Sequence, residues 1–401
     1  MPGAMSGGEP VPADGALPEG ALAGVGTRSF GFYVHVPFCT TRCGYCDFNT
    51  YTATELGTRG AHVSPATYAQ LAIGEIEFAR KIIGLAPVST VFFGGGTPTL
   101  LAPAAIGQIL GAIDAEFGLE PGAEVTSEAN PESVTPASLE ELRGAGVTRM
   151  SFGMQSAVPE VLAVLDRVHQ PGRPAECVAW ARTAGFEHVS LDLIYGTPGE
   201  SDADWARSVA AAVEAGPDHV SAYSLTVEPG TRLAARVRRG ELPPPDDDVL
   251  AARYVIADDM LTSAGYGWYE ISNWAVSEQA RCRHNVLYWT GGDWWGAGPG
   301  AHSHVGGTRW WNVRHPAAYA DRLSAGVSPG QAREVLSRDE KHLEEIMLAI
   351  RLDSGCPVSL VDAAGARAVL DDGLAVLAGG NLVLTRRGRL LADTVVRALV
   401  P

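Results

Sequence analysis

The chain has 401 residues, an apolar content of 46% and a formal net charge of −16. That length exceeds one ordinary domain and supplies a large core, while the acidic balance argues against nonspecific nucleic-acid binding. No apolar run approaches the roughly 18 residues of a membrane span, so no integral membrane segment is expected.

Residues 1–28 are rich in Gly, Pro and Ala. They have neither a basic start nor an apolar centre, so they resemble no signal or transit peptide; a disordered tail is expected. Six cysteines without a secretory signal point to a reducing compartment, and so to the cytoplasm. Residues 32–36 form an apolar, β-rich run closed by Pro37, which can donate no ladder hydrogen bond. Cys39, Cys43 and Cys46 follow in the spacing C-x3-C-x2-C, on a loop at the C-terminal end of that strand.

From there helix and strand alternate. Helices are predicted over 65–83, 103–117, 136–145 and 202–215, with a further helical region ending near 184. Strands are predicted over 90–93, 123–127, 148–152, 188–193 and 220–226. The second strand runs into Gly94-Gly95-Gly96-Thr97-Pro98. Six β-then-α units imply a parallel sheet, doubly wound or in a full or partial barrel. Polar residues recur at the C-terminal ends of the strands: the cysteine loop, the glycine loop, Glu128, Gln155 and Asp192. That favours a barrel mouth, and six legible units favour an open (β/α)6 barrel over a closed eightfold one, spanning 29–270. The triple proline at 243–245 marks a turn or linker; a helix over 247–264 and an aromatic strand within 266–274 follow. Residues 271–336 read as a Gly-, Trp- and His-rich region and linker. Residues 337–401 read as a small α+β module of winged-helix-like pattern, with a hairpin around Gly379-Gly380-Asn381 and Thr385 capping a last helix. Its eight basic and nine acidic side chains argue for a structural or protein-contact role over DNA binding.

Three thiols on one polar loop want a metal. A zinc site needs a fourth ligand, and no second cysteine pair exists; buried structural thiols do not fit a polar loop. A cubane [4Fe–4S] cluster held by three thiolates keeps one iron open for a bidentate small molecule. The spacing, with Tyr45 inside it, resembles the radical S-adenosylmethionine (SAM) superfamily. The resemblance implies a partial (β/α)6 TIM-like barrel, a [4Fe–4S] cluster on Cys39, Cys43 and Cys46, and SAM on the open iron. It further implies that Gly95, Gly96 and Thr97 hold the methionine amino group. Alone, a glycine run after a strand is usually a turn. Glu128, Gln155, Arg167, Asp192, Tyr33 and Tyr45 match SAM-contacting positions of the coproporphyrinogen dehydrogenase-like branch. Without the cysteines, Glu128 and Asp192 would read as rim groups and Arg167 as a surface residue.

Within that branch, residues 35–39, the GGGTPT run at 94–99 and Glu128-Ala129-Asn130-Pro131 resemble both the oxygen-independent coproporphyrinogen III dehydrogenases and the heme chaperone HemW family. The dehydrogenases carry a further cysteine two residues after the third cluster cysteine, where this chain has Phe48, and a longer segment before the cluster. His284-Asn285-Val286-Leu287-Tyr288-Trp289 matches the H-N-x-x-Y-W motif associated with HemW. That resemblance implies heme binding and transfer to heme-accepting proteins such as respiratory enzymes. His284 is then the candidate axial ligand and Tyr288 and Trp289 candidate porphyrin-packing residues, with His302, His304 and Cys282 as competing ligands. A radical enzyme decarboxylating two propionates of coproporphyrinogen III is the alternative. A winged-helix redox regulator would need a basic DNA face that the composition does not supply.

Overall fold

The computed structural model describes residues 7–57 and 63–400. Six parallel strands form its centre: β1 (Phe30–Val36), β2 (Val88–Gly95), β3 (Leu119–Ala129), β4 (Arg149–Gln155), β5 (His188–Tyr195) and β6 (His219–Ser224). They pair in sequence order, each parallel to the next. Their central residues are largely buried on both faces, with Val, Phe and Leu most continuous in β1 and β2.

The intervening helices begin where their caps dictate. Pro103–Phe117 and Pro136–Gly144 open on proline, whose missing N–H costs nothing at that position. Thr135 and Ser201 each close a capping box, ahead of Pro136–Gly144 and Asp202–Ala215. The predicted open α/β barrel is thus observed as six consecutive βα units, and among the described residues the two ends of the sheet are not hydrogen-bonded to each other.

The sheet continues on both sides to thirteen strands. Beyond β6 lies the antiparallel pair Gly267–Glu270 and Asn273–Ala275, so the single aromatic strand expected there is split by a turn. Beyond β1 lies Asp293–Ala297, parallel to it. His302–Val305, Thr308–Asn312 and Gly330–Val335 then follow antiparallel. The expectation of a linker within 271–336 is therefore corrected: its strands join the sheet and Trp295, Val305 and Trp310 belong to the same core as β1 and β2.

The expected tail is corrected as well. Glu9–Pro10 pairs with Ala332 and Arg333 at the sheet edge, Ala21 is buried, and Val11, Leu17, Leu22 and Val25 pack on the core. Arg28 reaches Asp293 at 2.7 Å. A few aliphatic side chains spaced through a Gly/Pro-rich stretch suffice to dock it. Residues 1–6 lie outside the described residues.

The C-terminal module has its own core of Ile346, Ile350, Leu382, Val395 and Leu399. Its order is helix Arg338–Ala349, strand Cys356–Pro357, helix Ala363–Asp371 and hairpin Ala375–Ala378/Asn381–Leu384, which is winged-helix-like. Thr385 caps Arg386–Leu390, accepting from Gly388 N–H. The module is tied to the helix Asp247–Ser263 by a buried bidentate pair, Arg389 to Asp258 at 2.8 and 2.7 Å.

Candidate functional site

The cysteine loop leaves the C-terminal end of β1, where parallel α/β sheets place their chemistry. Its base is clasped: Cys39 N–H donates to Tyr51 O at 3.1 Å and Tyr51 N–H to Pro37 O at 2.7 Å. Cys39, Cys43 and Cys46 are half-buried and free of disulfides. Thr97 Oγ1 donates to Cys39 Sγ at 3.9 Å, and Asn130 Nδ2 donates to Thr97 Oγ1 at 2.9 Å. Arg167 Nη1 donates both to Asn130 Oδ1 at 2.8 Å and to Cys43 Sγ at 3.7 Å. A continuous hydrogen-bonded arc therefore joins two of the three thiols through the glycine loop, β3 and the segment after β4.

Burial pushes the Cys39 thiol up, and the Cys46 thiol to about 11, so without metal both are protonated at neutral pH. Iron would displace those protons. The donor set fits a cluster: three unpaired thiols on one loop, two already met by outer hydrogen bonds. A cubane takes one thiolate per iron, so its ligands need not converge on a point; among the described residues no three His, Cys, Asp or Glu side chains do so.

The glycine loop touches the cysteine loop directly. Gly96 N–H donates to Val36 O at 2.8 Å and Thr97 N–H to Phe38 O at 2.8 Å. A Cβ at Gly96 would lie 2.4 Å from Phe38 O. Gly95 has φ +105° and donates its N–H to Glu128 Oε2 at 3.2 Å. Burial, aided by the nearby Asp192 charge, pushes the Glu128 carboxyl up to about 8. Burial also raises Asp192, which accepts from Ser151 Oγ at 2.8 Å. Tyr33 stacks on Phe92 and its hydroxyl meets His35 Nδ1 at 3.0 Å. Tyr45 packs on the cluster of Val158, Ile194 and Leu225.

Gln155 adopts φ +62°, where the β4–β5 register shifts. A non-glycine residue held there is a strained position of the kind that clusters at sites. Arg167 Nη2 donates to Gly153 O at 2.8 Å, while its buried Nε has no partner. That orphaned donor beside Cys43 is a ready contact for an anionic ligand group. Of the residues expected around SAM, the fold joins Gly95 to Glu128 and sets Arg167 beside Cys43 and Tyr45. Asn130 was not among them; its only signal was its place in the Glu-Ala-Asn-Pro run.

The residues expected around heme divide. His284 is 1% exposed, on the helix Arg283–Trp289. Its Nδ1 lies 2.9 Å from Thr90 Oγ1 and its Nε2 2.8 Å from the Tyr288 hydroxyl. Burial lowers its pKa to about 3, so the ring is neutral, but both nitrogens are engaged. As placed it is not an open axial ligand, because the buried helix start leaves the ring no other partners. Cys282 is buried against Glu124 Oε1 at 3.7 Å, and burial pushes its thiol up to about 12. His304 is also closed: Nδ1 donates to Gly292 O at 3.0 Å and Nε2 accepts from Gly307 N–H at 3.1 Å.

Tyr288 and Trp289, in contrast, line an open cavity of about 1510 Å³, above the usual ~300–1,000 Å³ of small-ligand sites. Trp294, Trp311 and His302 form more of its wall, and Asp47, Phe48 and Asn49 of the cysteine loop border it. Asn49 fastens the two regions, donating to Pro299 O at 2.9 Å and Arg314 O at 2.8 Å.

The model of the Radical SAM superfamily matches residues 33–212. The chain is 54% identical over 382 residues to the heme chaperone HemW of Mycobacterium tuberculosis, covering 94% of this chain and 97% of that one. It is 35% identical to the heme chaperone HemW of Synechocystis sp., covering 80% and 78%. Its fold resembles that of the coproporphyrinogen III oxidase HemN of Escherichia coli, a radical SAM enzyme. There the TM-score is 0.79 at 21% identity, with 98% and 96% of the two chains covered.

Proposed function

The chain belongs to the heme chaperone HemW family of the radical SAM superfamily, and on that premise we propose that it binds heme and passes it to heme-accepting proteins, respiratory enzymes among them. The observation that carries this reading is the aromatic-walled cavity bordered by the cysteine loop. It is large enough for a tetrapyrrole, and Tyr288, Trp289, Trp294 and Trp311 offer aromatic surface on which a porphyrin could pack.

In this reading Cys39, Cys43 and Cys46 supply the thiolates of a [4Fe–4S] cluster. Gly95, Gly96, Thr97, Glu128, Gln155, Arg167, Asp192, Tyr33 and Tyr45 surround SAM beside it. A cluster held there would supply reducing electrons to the site. The chain's own part is positional. Gly96 admits the cysteine loop against the glycine loop, and Arg167 presents an unpaired donor. Glu128, protonated below about pH 8, brings no second negative charge beside Asp192. Six free cysteines suit a reducing compartment such as the cytoplasm, and no helix among the described residues is long and apolar enough to cross a membrane.

The test is anaerobic cluster reconstitution followed by two arms. Heme titrated into one should bind saturably. SAM, reductant and coproporphyrinogen III added to the other should leave the porphyrinogen unchanged. Decarboxylated product with release of 5′-deoxyadenosine would replace the chaperone with an enzyme of heme synthesis. Alanine at Cys39, Cys43 or Cys46 should each remove the cluster's iron and sulfide.

A further inference from the structure

We propose that His302 is the axial ligand through which the cavity holds heme iron, and that Arg314 anchors a propionate beside it. This rests on the heme-binding reading above and assigns its contact atoms.

Among the described residues, three histidines line the cavity: His35, His302 and His304. In His35, Nε2 meets Asn49 O at 2.9 Å and Nδ1 meets the Tyr33 hydroxyl. Since a carbonyl only accepts, Nε2 carries the proton and Nδ1 takes the phenol's. His304 is closed in the same way, between Gly292 and Gly307. His302 is the exception. Among the described residues its ring makes no hydrogen bond; it stacks on Trp311, with centroids 6.0 Å apart and planes 25° from parallel. An exposed imidazole set on an indole has its orientation restricted while both nitrogens stay open. Partial desolvation of the ring at the cavity mouth, with Arg314 nearby, lowers its pKa from 6.5, which favours the neutral form that ligates iron. His284, the motif histidine, does not line the cavity.

The cations follow the same logic. Arg28 is paired with Asp293 and Arg309 with Glu334 and Glu344. Lys341 Nζ donates to Gly306 O at 2.8 Å. The Arg314 guanidinium, among the described residues, makes no ion pair or hydrogen bond. It is exposed and borders both the large cavity and the cleft at Cys43 and Cys46. Its carbonyl accepts from Asn49 Nδ2 and from the Tyr51 hydroxyl, so its backbone is fixed to the cysteine loop. A carboxylate suits that free fork bidentately. Asp47, Glu228 and Glu345 also border the cavity, and the other cations of its wall are already engaged, which leaves Arg314 as the open partner for a propionate.

The experiment is a heme titration of the full, cluster-reconstituted chain, read by the absorption and electron paramagnetic resonance spectra of the bound iron. His302→Ala should weaken binding about tenfold or more and change the ligand-field spectrum, and added imidazole should restore it. Arg314→Ala should keep the spectrum but weaken binding, and should bind heme dimethyl ester as the parent chain does. His284→Ala should keep the spectrum. A parent-like spectrum and affinity in His302→Ala would overturn the ligand assignment while leaving heme binding intact. An Arg314→Ala variant with parent-like heme affinity would overturn the propionate anchor. Failure of the parent chain to bind heme would remove the functional reading and this inference with it.

Discussion

The His284 ring is held between Thr90 Oγ1 at 2.9 Å and the Tyr288 hydroxyl at 2.8 Å, stacked on Phe92. The motif histidine thus sets the tyrosine that faces the cavity. His284→Ala opens a buried cavity and strands two hydroxyls, so stability should fall by about 2–4 kcal/mol. Urea unfolding of both chains measures it.

The same ring predicts an acid sensitivity. Its folded pKa, about 3, lies below the ordinary 6.5. Between those values the unfolded chain takes a proton that the native chain refuses, so stability is lost as pH falls below about 6.5. In His284→Gln the decline from pH 7 to pH 4 should be shallower; equal slopes would refute the assignment.

Glu128 predicts the opposite trend. Its folded pKa, about 8, lies above the ordinary 4.5. The native chain keeps a proton that the unfolded one releases, so stability is present at low pH and lost as pH rises towards 8. Glu128→Gln should gain melting temperature over the parent at pH 9 relative to pH 5. A constant difference would mean that Glu128 is ionised throughout.

At Gly96 a methyl would press on backbone, 2.4 Å from Phe38 O and 2.9 Å from Val36 O, which cannot yield as a flexible side chain would. Gly96→Ala should cost about 1–3 kcal/mol and lower the iron retained after reconstitution. Parent-like iron content and melting would show that the two loops tolerate separation.

Arg167 donates three hydrogen bonds and leaves Nε open. Lysine cannot reproduce that fork. Arg167→Lys should keep the iron content and weaken SAM binding about tenfold or more, measured by equilibrium dialysis of the reconstituted protein. Undiminished SAM affinity would place SAM elsewhere.

Local chemistry was readable along the chain. Pro103 and Ser201 open their helices because missing or capped N–H groups act within one turn, and helices 103–117 and 202–215 end as the pattern predicts. The six strands were legible because each carries a short β-branched, aromatic or aliphatic stretch between helical segments and ends on a polar or glycine-rich turn. The cysteine spacing and glycine run were legible because each is a short segment whose chemistry is carried by its own residues.

Contacts between distant segments were not readable. Asp293–Ala297 joins β1 from more than 250 positions away, and no local periodicity records a parallel partner, so that region passed for a linker. The docking of residues 7–28 depends on a few aliphatics finding the sheet edge. Above all, the sequence marks His284 as a histidine in a motif and His302 as one of several nearby. Which imidazole is closed and which is open depends on hydrogen bonds to Thr90, Tyr288, Gly292 and Gly307, and on the face of a β-hairpin that His302 shares with Trp311. Ligation needs a free nitrogen, and only folding decides which nitrogens remain free.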